Sequence, residues 1–334
     1  MALIGENRSK TVLLRADMDA LPIKEETDLS FSAQNGNMHA CGHDMHTSML
    51  LGAASILKER EKELVGTVKL MFQPAEEILE GAKDMIENGA LENPKVDAAF
   101  MLHVNTLPME KGTVILSKGG IDAPGAAFFK IEIKGRGCHG AAPENGVDAA
   151  LIGAHIMVAV DSIVSKELSF INSGVITIGS AKTFGAQNAV SDKMILEGTA
   201  RSFDNKVLDK MLKRIKELSE NIAAAFKGEA FFSVSSSCPP LRNDEKLMEF
   251  AKEKSTELFS KEAVLVSNQK GTASEDFSYI SALVPSAAIS VCAGDGEDYP
   301  LHHPKVKFSE NALPNGSALL AYLAEKWLEK SSSQ

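Results

Sequence analysis

Residues 11–19 read TVLLRADMD, an apolar run that passes directly into a stretch rich in charge. The same pattern recurs downstream, where residues 66–77 read GTVKLMFQPAEE and residues 96–104 read VDAAFMLHV. Residues 286–294, SAAISVCAG, predict a fourth strand near the end of the chain. Short apolar strands that alternate with helical patterns are typical of α/β proteins. The carboxyl ends of strands in such sheets share one edge, where ligands bind.

The first three of these strands are each followed or ended by side chains that can bind a cation. They are Asp17, Asp19, Glu76, Glu77 and His103. We expect these side chains to lie close together at one edge of the sheet, because three separate strands deliver them there. Taken alone, each has a simpler explanation, since a pair of glutamates in a loop is most often solvated. Their joint placement is what favours a functional site.

The segment HACGHD at residues 39–44 concentrates potential ligands in a chain with only four cysteines and eight histidines. Cys41 and His43 are two residues apart, so their side chains point the same way in an extended loop. Asp44 is predicted to cap the helix that follows. A cysteine nucleophile would leave the surplus carboxylates and imidazoles without a role, and a thioredoxin-type redox site lacks a C-x-x-C motif. A site for Zn²⁺, Mn²⁺, Co²⁺ or Ni²⁺ fits the donors best.

Adjacent glutamates cannot easily serve one ion from one direction. A division of labour between Glu76 and Glu77 is therefore favoured, in which one carboxylate binds metal and the other accepts a proton from the attacking water. An aspartate of the DMD segment is predicted to bridge two ions or to orient a ligand imidazole. The segment LHHPKVKF at residues 301–308 adds a further imidazole, from His302 or His303.

The bulk composition is that of a globular protein, with 44% hydrophobic and 24% charged residues. A formal net charge of −10 argues against nucleic acid as a main partner. No secretory signal and no uncharged apolar run long enough to span a bilayer are visible, so we expect no membrane partner. The four scattered cysteines show no framework spacing, which favours reduced thiols and a cytoplasmic location.

The length of 334 residues favours two domains. Residues 121–237 predict the order β-α-β-β-α-β, which is the ferredoxin-like pattern of a compact unit. The sequence therefore predicts a first α/β domain built from residues 1–120 and 238–334, interrupted by a smaller inserted domain.

The motifs RADMDALP, HACGHD, FQPAEE, LHV, GRGCHGAAP, GTARSF, SEDFSY and LHHPKVKF occur in the order found in the aminoacylase-like dinuclear metallohydrolases, metallopeptidase family 20. The chain most resembles their amidohydrolase branch, which includes hippurate hydrolases, N-acyl-amino-acid amidohydrolases and indoleacetyl-amino-acid hydrolases. The resemblance covers nearly the whole chain. It implies an α/β catalytic domain of the zinc-exopeptidase type and an inserted ferredoxin-like α+β lid that also forms a homodimer or higher oligomer.

The resemblance also implies roles for individual residues. Two divalent ions per subunit would be held by Cys41, His43, Glu77, His103 and His302. Glu76 would be the general base, Asp17 would support the metal site, and His139 would stabilise the oxyanion. Asn188 and Arg201 would hold the substrate carboxylate, a task suited to a guanidinium. Arg15 stands where the peptidase relatives have a histidine, which fits the amidohydrolase branch.

The implied activity is hydrolysis of N-acyl or aryl-acyl amino acids to a carboxylic acid and a free amino acid. One alternative is a dipeptidase or carboxypeptidase on the same scaffold. The relatives usually carry an N-terminal helical segment before the first motif. A second alternative is therefore an N-terminally truncated remnant that binds metal without catalysis.

Overall fold

The computed structural model describes residues 1–5, 10–297 and 299–332. Its strands, in chain order, are β1 (Ala2–Ile4), β2 (Thr11–Asp17), β3 (Thr67–Gln73), β4 (Ala98–Asn105), β5 (Val114–Leu116), β6 (Gly120–Ala123), β7 (Gly125–Lys134), β8 (Cys138–His139), β9 (Gly174–Thr183), β10 (Ala189–Val190), β11 (Lys193–Ser202), β12 (Glu229–Cys238), β13 (Leu241–Asn243), β14 (Val264–Val266) and β15 (Ser286–Cys292). Its helices are α1 (His43–Glu59), α2 (Gly81–Glu87), α3 (Ala149–Ser162), α4 (Asn205–Ala225), α5 (Glu245–Phe259), α6 (Ser278–Ser281) and α7 (Leu313–Ser332).

The chain divides into two compact units. The first contains Met1–Asp122, Leu241–Lys270 and Asp276–Gln334, and the second contains Ala123–Pro240 and Gly271–Glu275. The sequence predicted domain boundaries after residues 120 and 237, which are two and three residues before the observed boundaries. It also assigned residues 271–275 to the first domain, whereas the structure groups them with the second unit.

The first unit is built on a seven-stranded sheet with the order β1-β3-β2-β4-β15-β5-β14. Its central strands β3, β2, β4 and β15 run parallel, and β2 is buried along its whole length because both faces of the sheet are covered. The mixed α/β class with a central sheet is confirmed. The four predicted strands are these central ones, and β3 ends at the residue before Pro74 as expected. The strands β5 and β14 were missed, since three residues are too few to show a periodicity.

The two faces of this sheet differ in chemistry. One face is apolar, and Val12, Leu14 and Phe100 belong to a core shared with residues of α1, α5 and α7. On β2 the alternate residues Arg15 and Asp17 are buried too. Successive side chains on a strand point to opposite faces, so the polar residues lie on the other side of the sheet from the apolar core.

Helix α1 begins differently from the prediction. Asp44 does not cap it: the cap position is Gly42, in a left-handed conformation with φ of 81°, and it makes no side-chain capping hydrogen bond. A side chain at Gly42 would collide with Val104 and Phe308, so the close approach of neighbouring segments requires glycine there. Asp44 instead lies in the first turn, where its charge complements the helix dipole.

The second unit shows the predicted β-α-β-β-α-β order in β7, α3, β9, β11, α4 and β12. Its four-stranded antiparallel sheet has the order β12-β7-β11-β9. The two helices begin where aspartates cap them, with Asp148 accepting hydrogen bonds from Ala150 and Leu151 amides and Asp204 accepting one from Lys206.

One helical stretch in the described part of the chain, Ala149–Glu167, is long and apolar enough to cross a membrane by length and composition. Its residues Ile152, Ile156 and Val160 belong to the core of the second unit. The spacing of these buried residues is that of a helix packed by one face against a sheet.

Candidate active site

The first unit brings the predicted ligands together at the carboxyl ends of β2, β3 and β4. Asp17 is the last residue of β2, Glu76 and Glu77 follow the end of β3, and His103 lies near the end of β4. These strands are parallel neighbours, so their ends share one edge of the sheet. Cys41 and His43 enter from the start of α1.

Two of the five groups of possible ligand atoms among the described residues share the Cys41 sulfur. Cys41, His43 and His103 form the first group, and Cys41, Glu77 and His302 form the second, with all ligand atoms of a group within 4.8 Å of one another. The Cys41 Sγ lies 3.7 Å from His103 Nε2 and 3.3 Å from His302 Nε2. Ligands at about 2.0 to 2.3 Å from a tetrahedral ion are separated from each other by roughly 3.3 to 3.8 Å. The spacing therefore fits a centre of two ions.

Two buried atoms in this cluster support the same interpretation. His43 Nε2 and Glu77 Oε1 are buried without a hydrogen-bond partner among the described residues, and they lie 3.8 Å apart. Burying polar atoms unpaired is costly. A cation between them would satisfy both, so these residues fit the implied metal.

Asp19 fixes the orientation of His43. Its Oδ1 lies 3.1 Å from His43 Nδ1, and its Oδ2 accepts a hydrogen bond from the Glu77 amide at 3.0 Å. Burial favours a higher pKa for Asp19, but the hydrogen bonds from His43 and the Glu77 amide outweigh it, so the pKa is lowered. An anionic Asp19 favours the proton on Nδ1 of His43 and leaves the Nε2 lone pair for a metal.

Glu76 lies in a tight loop between β3 and α2. It is buried, and its carboxylate oxygen lies within 4.8 Å of ligand atoms of His43 and Glu77. Ala75 and Leu79 adopt positive φ values of 58° in this loop, a conformation that non-glycine residues rarely adopt. Burial raises the pKa of the neighbouring Glu77. The two adjacent glutamates thus lie together next to His43.

The structure separates the two C-terminal histidines. His302 lies beside Cys41 and Glu77, its amide donates to the Ala40 carbonyl at 2.8 Å, and its φ of 67° is left-handed. His303 instead stacks on Tyr299, with ring centroids 4.5 Å apart. His302 is therefore the histidine placed with the ligand cluster.

The sequence reasoning missed His46. Its Nδ1 lies 2.5 Å from Asp17 Oδ1, and its Nε2 accepts a hydrogen bond from the Val104 amide at 2.8 Å. The proton is therefore on Nδ1, and Asp17 is held between His46 and the Arg15 guanidinium, which donates to Oδ2 at 2.8 Å. The spacing of His43 and His46 on one helix face was the available signal.

The stability of the metal-free protein should depend on His46. Burial lowers the pKa of His46 to about 4, despite the opposing charge of Asp17. The pKa of an unfolded histidine is about 6.5, so between that pH and about 4 the unfolded chain binds a proton that the folded chain does not. We expect this group to cost up to about 3 kcal/mol of stability as the pH falls through that window.

Urea unfolding of metal-free protein at several pH values between 7 and 4 measures this effect. The variant His46→Gln should show a shallower loss of stability with falling pH than wild type. The exposed His155 provides the control, since His155→Gln should follow wild type. Identical pH dependence in the His46 variant and wild type would contradict the expectation.

The remaining predicted residues belong to the second unit. His139 lies on β8, which pairs with β10, and its Nδ1 accepts a hydrogen bond from the Ala141 amide at 3.0 Å, so Nε2 carries the proton. The Asn188 carbonyl oxygen accepts a hydrogen bond from the Gly140 amide, next to His139. Arg201 lies on β11 and donates through Nη1 to the Ser274 hydroxyl at 2.7 Å.

Comparison with known proteins places the chain among metallopeptidases. The family model described as peptidase family M20/M25/M40 matches residues 13–326. An N-acetyl-L-cysteine deacetylase of Bacillus subtilis is 37% identical over 98% of this chain and 77% of its own length. A hippurate hydrolase of Campylobacter jejuni is 33% identical over 97% of this chain and 83% of its own length. An IAA-amino acid hydrolase ILR1-like 4 of Arabidopsis thaliana is 38% identical over 97% of this chain and 74% of its own length.

Solved structures agree with this. A putative aminohydrolase from methicillin-resistant Staphylococcus aureus superposes with a TM-score of 0.82 at 37% identity, covering 96% of this chain and 84% of that one. A Bacillus subtilis protein described as a dinuclear metal binding peptidase from the M20 family gives a TM-score of 0.77 at 29% identity, covering 98% of this chain and 83% of that one.

Proposed function

We propose that this chain, which belongs to the peptidase family M20/M25/M40, is a metal-dependent amidohydrolase acting on N-acyl or aryl-acyl amino acids. The products would be a carboxylic acid and a free amino acid. The observation that carries the proposal is the cluster of Cys41, His43, Glu77, His103 and His302 with Glu76 buried beside it.

The names of the relatives support this substrate class. A deacetylase of N-acetyl-L-cysteine, a hippurate hydrolase and an IAA-amino acid hydrolase all cleave an amide between an acyl group and an amino acid. The shared chemical feature is a free carboxylate next to the scissile amide. Arg201 and Asn188 are the groups we assign to hold that carboxylate, because a guanidinium and an amide donate several hydrogen bonds to it.

The cluster would hold two divalent ions through Cys41, His43, Glu77, His103 and His302. A mixed set of thiolate, imidazole and carboxylate ligands accepts Mn²⁺, Zn²⁺, Co²⁺ or Ni²⁺, and availability selects among them. When bound, such ions polarise the scissile carbonyl and acidify the attacking water.

The chain's own residues supply the proton transfers. Glu76 accepts the proton of the attacking water and returns it to the leaving amine. His139 contributes a donor for the developing oxyanion, since its Nδ1 is already engaged by the Ala141 amide and its proton is on Nε2. Asp17 and Asp19 hold the imidazoles of His46 and His43 in the required tautomers.

The quaternary state we propose is a homodimer formed through the second unit. Strand β9 is an edge of the four-stranded sheet. Val158 is 75% exposed and Val175 57% exposed, and Phe170 and Ile171 between them in sequence are also exposed. Apolar side chains beside an unpaired strand edge favour a second copy of the same chain. Light scattering should give the mass of a dimer, and a monomer at assay concentration would contradict this.

A cytoplasmic location is proposed from the redox state of the cysteines. Cys41 must stay a reduced thiolate to bind metal, and none of the four cysteines forms a disulfide. The net charge of −10 supports the absence of nucleic-acid and membrane partners. Fractionation of the source cells tests the location, and recovery outside the cytoplasm would contradict it.

A substrate panel tests the proposed function. Purified protein supplied with divalent metal should hydrolyse N-acetyl-methionine or hippurate faster than any member of a dipeptide panel. Preference for dipeptides would assign the chain to the peptidase alternative. Cleavage of neither class by protein that binds metal would identify a non-catalytic member of the family.

A further inference from the structure

The carboxylate of Asp276 lies fully buried in a polar network, and the mechanism above gives this residue no role. Its Oδ1 accepts hydrogen bonds from Gln73 Nε2 at 2.7 Å and Arg15 Nη2 at 3.0 Å. Its Oδ2 accepts hydrogen bonds from Gln73 Nε2 at 2.9 Å and from the Ala82 amide at 2.9 Å. Asp276 is part of the SEDFSY motif, to which the sequence assigned no role.

Two of these donors mark the ends of the loop that carries Glu76 and Glu77. Gln73 is the last residue of β3, and Ala82 lies in the first turn of α2. The loop between them, residues 74–81, is tight, because the amides of Glu80 and Gly81 both donate to the Ala75 carbonyl. The Asp276 carboxylate therefore accepts hydrogen bonds from both ends of the loop.

The same network also holds Asp17, at the end of the neighbouring strand β2. Arg15 donates from Nε to Gln73 Oε1 at 2.8 Å and from Nη1 to Asp17 Oδ2 at 2.8 Å, while its Nη2 binds Asp276. The side chains of Arg15, Asp17 and Asp276 have no exposed surface. Buried groups held by several charge-assisted hydrogen bonds have little freedom to move.

We propose that Asp276 is a positioning residue that fixes the Glu76–Glu77 loop relative to Asp17, acting through Gln73 and the Ala82 amide. Four hydrogen bonds from Gln73, Arg15 and the Ala82 amide reach its two oxygens, so both oxygens must act as acceptors. A carboxylate oxygen of Glu76 also lies within 4.8 Å of Asp276, which brings the positioning residue close to the group it positions. An asparagine has the same shape but directs an amide N–H against at least one of those donors. The loop would then shift, and a displacement of about 1 Å can cost roughly 100-fold in rate.

The variant Asp276→Asn tests this inference, with Lys69→Met as the matched control. Lys69 is buried on the same strand as Gln73, where its ammonium donates to the carbonyls of Ala90, Glu92 and Pro94, which lie beyond α2 and outside the loop. Both variants should lower the melting temperature. Only the Asp276 variant should lower kcat, by about 10- to 100-fold with little change in KM, because the loop holds the base rather than the substrate.

Cobalt binding to metal-stripped protein provides a readout that does not depend on turnover. Asp276→Asn should lower the affinity for the Co²⁺ ion held with Glu77 by about 10- to 100-fold, because residues around the metal ligands orient them. The thiolate–cobalt absorption of Cys41 should persist through the other ion, because Cys41 also belongs to the ligand group of His43 and His103. Lys69→Met should bind Co²⁺ as wild type does.

A double variant separates positioning from simple structural support. Gln73→Glu alone would set two buried carboxylates against each other and should be the least stable single variant. Combined with Asp276→Asn, it returns an amide–carboxylate pair with the roles exchanged, and Arg15 Nε keeps an acceptor. The double variant should therefore recover part of the Co²⁺ affinity and kcat lost in Asp276→Asn.

The kcat part of this inference rests on the proposed function, but cobalt affinity does not. Unchanged Co²⁺ affinity in Asp276→Asn would overturn the inference, as would equal losses of affinity in Asp276→Asn and Lys69→Met at equal melting temperature. If wild type hydrolyses no N-acyl amino acid while the cobalt results hold, the proposed function fails and the positioning role stands.

Discussion

Replacement of Glu76 by glutamine should leave metal binding intact and lower kcat by about 10²- to 10⁴-fold. Glutamine preserves the shape of the side chain but cannot accept the proton of the attacking water. The expected pattern differs from that of Glu77→Gln, which removes a carboxylate from the ligand group of Cys41 and His302 and should weaken metal binding directly.

The measurements for this prediction are metal content and kcat for N-acetyl-methionine under saturating substrate. Glu80→Gln is the matched control, because Glu80 belongs to the same loop and is exposed, so it should behave as wild type. A Glu76→Gln variant that keeps both its metal and a near-normal kcat would show that another group is the base.

Replacement of Arg15 by methionine should destabilise the metal-free protein by about 3 to 5 kcal/mol. The guanidinium is fully buried and binds Asp17 and Asp276, whose side chains are fully buried too. Removing the cation leaves two carboxylates in a site of low polarity without their charged partner, and that is far more costly than losing a surface ion pair.

Urea unfolding measures this effect, with Arg60→Met as the control. Arg60 makes a two-pronged contact with Glu325 at the surface, and water screens it. We expect the urea midpoint of Arg60→Met to stay close to that of wild type, whereas Arg15→Met should unfold at a clearly lower concentration. Equal midpoints for the two variants would contradict the importance assigned to the buried network.

Local sequence pattern predicted the parts of the molecule that depend on neighbours in the chain. The central strands, the end of β3 before Pro74 and the β-α-β-β-α-β order of the second unit follow from apolar periodicity and helix or strand breakers. The meeting of Asp17, Glu76 and His103 followed from the rule that parallel strands end at one edge.

Other features depended on tertiary contacts that the pattern does not carry. Asp276 is more than 200 residues from Gln73 in sequence, and nothing local indicates that they bond. Arg15 was interpreted only as a departure from the peptidase relatives, although its burial among carboxylates gives it a structural task. Asp44 lost its predicted capping role because the close approach of Val104 and Phe308 requires Gly42 at the cap.

The most direct test of the central claim is stepwise return of Co²⁺ to metal-stripped protein while hydrolysis of N-acetyl-methionine is followed. The ligand cluster predicts no turnover in the stripped protein, binding of two ions per chain, and activity that rises with ion binding and is lost in Cys41→Ala, since both ligand groups share that sulfur. Hydrolysis that proceeds equally in stripped and cobalt-loaded protein would contradict the account.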